Sequence, residues 1–179
     1  MSEKHPQGQG ERSVETTMSL VLIAATVTTG LVAGLFYGFS IAVMPGLARA
    51  DDRTLVTVMR RINAAILNGW FLLGYVGTIL LDALALVLFA LRPGSRAALA
   101  AIAVSTALYL AAVVLTARVN IPLNNALEAA GQARGSTEPA LARRAFERPW
   151  VRANHARTLL CAAALAAHCW ALVAHGVAG

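Results

Sequence analysis

The chain has 179 residues, a length that suggests one domain with room for an appendage. Hydrophobic residues make up 58% of it and charged residues 13%, against roughly 25% charged in an ordinary soluble domain. This composition argues against a disordered chain and against a nucleic-acid-binding module, since both need a charged surface. The net charge of +6 comes from Lys and Arg residues gathered in a few loops, which is typical of a membrane protein.

Four stretches without Asp, Glu, Lys or Arg are long enough to cross a bilayer, for which about 20 mainly apolar residues suffice. They are 16–48, 62–81, 97–117 and 158–179. The second continues to Leu91 with Asp82 as its one interruption. We therefore predict an all-α, integral-membrane four-helix bundle in the lipid bilayer, with helices near 18–44, 63–91, 97–121 and 154–178.

The segments outside these helices differ in length and charge. Residues 1–17 are polar and are predicted to form a disordered tail before a transmembrane domain at 18–178. The loop at 49–61 is short and charged. The segment 122–153 is longer and predicts two short amphipathic helices around Gly131–Thr137, with Ser136 or Thr137 capping the second.

The distribution of Lys and Arg predicts the orientation in the membrane. Four of these residues lie on one side of the predicted bundle and eleven on the other. The positive-inside rule then places the loops 45–62 and 122–153 in the cytoplasm, in what we expect to be a bacterial cytoplasmic membrane.

Three glycines four residues apart, Gly30, Gly34 and Gly38, form a stripe along the first helix. Such a stripe lets another helix approach closely within a membrane. We favour packing inside one bundle, and contact between copies in a homo-oligomer is the alternative.

Asp82 lies inside an otherwise apolar helix, where a lone carboxylate is costly and needs a partner. His168 and His175 share one face of the fourth helix at a similar depth. A structural hydrogen bond between Asp82 and one of these histidines is the favoured interpretation. A haem, metal or proton-relay site made of the three residues is the alternative.

Polar residues collect at the opposite end of the bundle, close to Trp150. They are Asn63, Asn68, Asn120, Asn124, Asn125, Asn154, His155 and Arg157. These side chains are either solvated helix ends or convergent groups that line a pocket for a mainly apolar ligand.

These residues belong to short blocks that follow one another along the chain. The blocks are Gly38-Phe39-Ser40 with Met44-Pro45-Gly46-Leu47, then Met59, Ile62, Asn63, Ile66, Asn68 and Phe71, then Asn120-Ile121-Pro122-Leu123-Asn124-Asn125, and then Trp150 with Asn154-His155-Ala156-Arg157-Thr158. In this order, over residues 18–178, they resemble the DUF1772, anthrone oxygenase-like family of small membrane proteins.

The resemblance implies an oxidoreductase, a monooxygenase that uses O2 to convert an enolisable aromatic compound, such as an anthrone, without a metal or flavin. The base it suggests is His155, because an imidazole exchanges protons near neutral pH. The groups that would orient the reaction and hold the oxyanion are Asn63, Asn120, Asn124, Asn154 and Arg157. The expected substrate contacts are Trp150, Asn68 and Phe39.

Two other functions compete with this one. The first is a non-catalytic scaffold or accessory subunit that packs through the glycine stripe. The second is a haem- or metal-binding membrane protein that uses His168, His175 and Asp82.

Overall fold

The structure is a computed structural model that describes residues 6–92, 96–132 and 138–178, with no strand among them. The helices are α1 (Pro6–Gly38), α2 (Met44–Ala48), α3 (Asp52–Ile66), α4 (Gly69–Ala90), α5 (Arg96–Leu115), α6 (Ile121–Gln132) and α7 (Pro139–Ala178). Four continuous helical stretches of this part of the chain are long and apolar enough to span a membrane: Gly10–Ala48, Gly69–Ala90, Arg96–Gly131 and Pro139–Val177. The predicted all-α, four-helix membrane fold is confirmed.

Two π-helical turns, Phe39–Val43 and Thr116–Asn120, connect α1 to α2 and α5 to α6. In each, an N–H bonds to the carbonyl five residues earlier, from Met44 to Phe39 and from Ile121 to Thr116. A proline follows directly, at positions 45 and 122. Proline lacks an N–H and its ring clashes with the carbonyl of an ordinary α-turn, so the wider turn carries the helix past it.

The sequence predicted a charged loop at 49–61. Residues 52–61 of this stretch instead form most of helix α3. Asp51 caps this helix, since its Oδ1 accepts a hydrogen bond from the Thr54 N–H at 2.9 Å. Leu55, Val56 and Met59 are buried along one face. Helix α3 is amphipathic, with charges on its outer face, and so it contains no long uncharged run. Uncharged runs in the sequence therefore do not reveal it.

The predicted second helix, 63–91, is divided at Leu67 and Asn68. Helix α3 ends at Ile66, and α4 begins at Gly69 after the N-cap Asn68. The membrane-spanning part is therefore α4 alone.

The segment 122–153 also differs from its prediction. Helix α6 continues from α5 through the π-helical turn, and the expected second short helix is the first part of α7, which continues past Pro149 into the membrane span. The capping residues proposed for it, Ser136 and Thr137, lie outside the described residues. Helix α1 begins at Pro6, so residues 6–17 of the predicted tail are helical. The division into a tail and a domain stays a prediction.

The bundle has two ends, which we call the loop end and the distal end. The loop end contains α2, α3, α6 and the start of α7, around a buried cluster that includes Leu55, Met59 and Trp150. The distal end is packed by another cluster that includes Leu22, Phe89 and Ile102. The two ends therefore differ in construction, and only the loop end has extra helices.

Arg143 of α7 joins three elements at the loop end. Its guanidinium donates hydrogen bonds to the carbonyls of Ala48 and Ala50 at 2.9 and 2.8 Å. It also pairs with Asp52 at 3.0 Å and with Glu147 at 2.6 Å. These contacts hold the turn between α2 and α3 against α7.

The glycine stripe contacts the bundle at one position. A Cβ at Gly30 would lie 3.6 Å from the Leu165 side chain of α7, whereas positions 34 and 38 have no neighbouring atom within 4 Å. Close packing within the bundle therefore involves Gly30. Contact between copies through Gly34 and Gly38 stays a prediction.

Candidate active site at the loop end

The centre of the candidate site is Arg157, which is buried with 7% of its surface exposed. Its guanidinium carbon lies 4.0 Å from the centre of the Phe36 ring and 5.1 Å from that of Trp150. Among the described residues, no carboxylate comes within ion-pair distance of it. A cation held between aromatic faces without an anion partner is suited to bind an anion.

Asn154 fixes the position of this arginine. Its Oδ1 accepts a hydrogen bond from Arg157 Nε at 3.0 Å. Its Nδ2 donates to the carbonyl of Phe36 at 3.0 Å and to the hydroxyl of Ser40 at 2.8 Å. Ser40 also contacts Thr158 at 3.1 Å, so one amide links α7 to the first π-helical turn and orients the cation.

Trp150 forms one wall of the site and is held by Asn124. The indole N–H donates to Asn124 Oδ1 at 2.9 Å. The Trp150 ring lies 5.5 Å from the Phe39 ring and 5.8 Å from the Phe146 ring, centre to centre. The wall is therefore aromatic and fixed in orientation, as a site for a flat apolar ligand requires.

Asn120 and Asn63 carry buried polar atoms without a hydrogen-bond partner. Asn120 is 1% exposed, and both its Nδ2 and Oδ1 are unpaired among the described residues. The Nδ2 of Asn63 is unpaired in the same way. Leaving such a group unpaired costs roughly 1–3 kcal/mol, so these amides are available to a ligand that enters the loop end.

Tyr75 also belongs to the candidate site, although no motif in the sequence pointed to it. Its hydroxyl is buried beside Thr116, outside the geometry of a hydrogen bond, and within electrostatic range of Arg157. The Tyr109 hydroxyl donates to the Tyr75 carbonyl at 2.9 Å, and Phe71 stacks on the Tyr75 ring at 5.2 Å. One signal was present: Tyr75 and Asp82 are seven residues apart and so share a helix face.

Phe36 and Cys161 were also missed as neighbours of Arg157. Phe36 lies one turn before Ser40, and Cys161 one turn after Arg157. Both are buried. Helical spacing from the selected residues would have identified them.

Two selected residues lie elsewhere. His155 is exposed, because one step along a helix turns the side chain by about 100° away from buried Asn154. The structure therefore does not place His155 where the prediction put it, as a base beside the oxyanion. Asn68 is exposed as well and caps α4 by accepting the Phe71 N–H at 3.0 Å, so it is a helix cap and not a substrate contact.

Asp82 and the two histidines lie away from this site. His168 Nε2 is 3.1 Å from Asp82 Oδ1, an ion-pair contact whose angles fall outside those of a hydrogen bond. His175 instead contacts the Ser19 hydroxyl at 3.1 Å. Within the described ranges, no three His, Cys, Asp or Glu residues are grouped as metal ligands.

The fold and the site together define a small membrane protein of four spanning helices with a buried, aromatic-lined cation at one end. The Anthrone oxygenase family matches residues 70–167, more than half of the chain, and the protein belongs to this family. The matched part includes Tyr75, Asn120, Trp150, Asn154 and Arg157. Neither the curated proteins nor the solved structures give a match to this chain.

Proposed function

We propose that the protein is a membrane oxygenase that oxidises an enolisable aromatic substrate with O2. The observation that carries this proposal is Arg157, a buried cation between two aromatic rings with no carboxylate partner among the described residues. Membership of the anthrone oxygenase family supports it.

The chemistry follows from the acidity of a CH2 group between aromatic rings. Loss of a proton gives an enolate, which is electron-rich enough to react with O2 directly. Arg157 stabilises the enolate oxygen, and its effect is large because the site excludes water. The unpaired amides of Asn120 and Asn63 supply further donors.

The aromatic walls account for the substrate's shape. Trp150 and Phe36 pack on the guanidinium, so a flat molecule bound at Arg157 would lie among aromatic rings. Both O2 and polycyclic aromatic compounds dissolve in lipid, so a site between membrane helices has access to both reactants. The product of O2 addition and loss of water is a ketone, as in the conversion of an anthrone to an anthraquinone.

We also propose that this loop end faces the cytoplasm of a bacterial cell. In the sequence, eleven of the 15 Lys and Arg residues fall within 49–61 and 118–157, the segments from which the loop end is built. This arrangement follows the positive-inside rule.

The test of the function compares two arginine variants of α7. Arg157→Gln removes the buried cation, and Arg152→Gln, its control, removes an exposed one five residues earlier. We expect the purified protein in lipid nanodiscs to convert an anthrone to its anthraquinone with uptake of O2. Arg157→Gln should lower kcat by about 10²–10³-fold, the usual effect of one oxyanion donor, and Arg152→Gln should not. Wild-type protein without activity, or Arg157→Gln with full activity, would contradict the proposal.

A further inference from the structure

Asn120, the last residue of the second π-helical turn, has hydrogen-bonding requirements that an oxyanion alone does not meet. Its side chain is 1% exposed, and both Nδ2 and Oδ1 lack a partner among the described residues. An asparagine amide donates through Nδ2 and accepts through Oδ1. An enolate oxygen can accept from Nδ2, but it has no proton to give to Oδ1. A ligand that satisfies this amide therefore brings a hydrogen-bond donor as well.

The other buried unpaired groups of the loop end have less specific requirements. Only the Nδ2 of Asn63 is buried and unpaired, and a donor of this kind suits an oxyanion. The Tyr75 hydroxyl is also unpaired, but a hydroxyl can either donate or accept. In the described part of the loop end, the Oδ1 of Asn120 is therefore the buried unpaired atom that can only accept.

Two hydrogen bonds fix how the continuous stretch from α5 to α6 lies along α7. The Ser105 hydroxyl of α5 donates to the Ala164 carbonyl of α7 at 2.8 Å. The Trp150 N–H of α7 donates to Asn124 Oδ1 of α6 at 2.9 Å. Residue numbers therefore rise along one stretch as they fall along the other, and the two stretches are antiparallel.

This register places Asn120 at the level of the buried cation. Asn120 lies one helical turn before Asn124, on the same side of the helical stretch. The turn that contains it packs against α7. Because the two stretches are antiparallel, Asn120 faces the turn of α7 that follows Trp150. Asn154 and its hydrogen-bond partner Arg157 begin there.

We propose that Asn120 selects a substrate that carries a hydroxyl group in addition to the oxygen that becomes the oxyanion, an inference that rests on the proposed function. The hydroxyl donates to Asn120 Oδ1, while Nδ2 stays available to the oxyanion beside Arg157. A hydroxyl ortho to the carbonyl is already bonded to the carbonyl oxygen within the molecule. The hydroxyl that Asn120 recognises is therefore a free one, meta or para to the carbonyl.

A buried acceptor of this kind discriminates against a compound that lacks the hydroxyl. Such a compound leaves Oδ1 unpaired in the complex, and a site that bonds a substrate hydroxyl rejects the analogue without it. Because the bond joins two neutral groups, we expect a contribution of about 10–10²-fold in kcat/KM.

The test compares an unsubstituted anthrone with three anthrones that carry one hydroxyl, ortho, meta or para to the carbonyl. The substrate preference is kcat/KM for the hydroxylated compound divided by kcat/KM for the unsubstituted one. Asn120→Leu removes the buried amide at similar volume, and Asn125→Leu, its matched control, removes an exposed amide of α6. Dividing the preference of a variant by that of the wild type cancels the intrinsic reactivity of the compounds.

We expect Asn120→Leu to lower the preference for the meta or the para compound about 10–10²-fold. The preference for the ortho compound should not change, and Asn125→Leu should change none of the preferences. If Asn120→Leu leaves the preferences for both the meta and the para compound as in the wild type, the inference is overturned, while the proposed function stands.

A second measurement needs no variant and serves if Asn120→Leu is inactive on every compound. The anthraquinone products do not react further, so their inhibition constants with wild-type protein report binding alone. We expect the meta- or the para-hydroxylated product to compete about 10-fold more tightly than the unsubstituted one. Equal inhibition constants would overturn the inference. A wild-type protein that oxidises none of the anthrones would instead contradict the proposed function itself.

Discussion

At the scale of single residues, the asparagines of the site have two different roles. Asn124 and Asn154 have hydrogen-bond partners and hold Trp150 and Arg157 in place. Asn120 is as deeply buried as Asn154 but has no partner among the described residues. Asn124 and Asn154 therefore stabilise the fold, whereas the unpaired amide of Asn120 lowers stability, as we expect of a ligand-binding residue under the proposed function.

This difference predicts opposite effects of one substitution. Asn120→Leu removes an unpaired buried amide at similar volume and should raise the free energy of unfolding by roughly 1–3 kcal/mol. It should also lower turnover of an anthrone. Asn124→Leu removes the acceptor of the Trp150 N–H and should lower stability. Thermal unfolding in detergent measures both, and a destabilised Asn120→Leu would show that the amide is satisfied.

At the scale of elements, an ion pair joins two helices of the loop end. Arg60 of α3 donates two hydrogen bonds to Glu128 of α6, at 2.8 and 2.7 Å. This interaction raises the pKa of Arg60. A Cβ at Gly131 would occupy the space of the Arg60 guanidinium, so a larger residue there requires this side chain to shift.

Gly131→Ala should therefore displace Arg60 and loosen α3. The expected loss of stability is no more than about 1 kcal/mol, because both side chains of the ion pair are partly exposed. Gly10→Ala is the control: it lies in a helix with no atom nearby and should stabilise by roughly 0.5–1 kcal/mol. Hydrogen exchange of the α3 amides measures the effect directly, and unchanged exchange in Gly131→Ala would contradict it.

At the scale of the whole molecule, the chemistry and the basic residues lie at the same end. Arg157, Asn120 and Trp150 are at the loop end, together with α3 and α6. The distal end is closed by apolar packing. Under the proposed function, we expect substrate to enter from the loop end or laterally from the lipid between helices.

The proposed orientation predicts the result of reporter fusions. A reporter fused at Gly179 should lie outside the cytoplasm, because α7 ends on the distal side. A reporter that works only outside the cytoplasm should therefore be active at this position. A reporter within residues 133–137, next to the basic segment, should be cytoplasmic. The reverse pattern would show that the orientation is the opposite one, and it would leave the description of the bundle unchanged.

The sequence by itself determined the membrane fold and part of the site. Uncharged runs identify spanning helices because lipid excludes charge and requires internal backbone hydrogen bonds. Motif order identified Asn154, Arg157 and Trp150. The cost of a buried carboxylate predicted a histidine partner for Asp82, which is His168.

Only the tertiary structure decided which neighbours share the site. His155 follows Asn154 directly in the sequence, which suggested that both lie in the site. On the helix their side chains point in different directions, so Asn154 is buried and His155 is exposed. Tyr75 and Phe36 reach Arg157 from other helices: spacing along each helix gives the face on which they lie, but only the fold shows that these faces meet at Arg157. The charged helix α3 was overlooked for a related reason: its stability depends on a face buried against α6 and α7, and that burial exists only in the folded bundle.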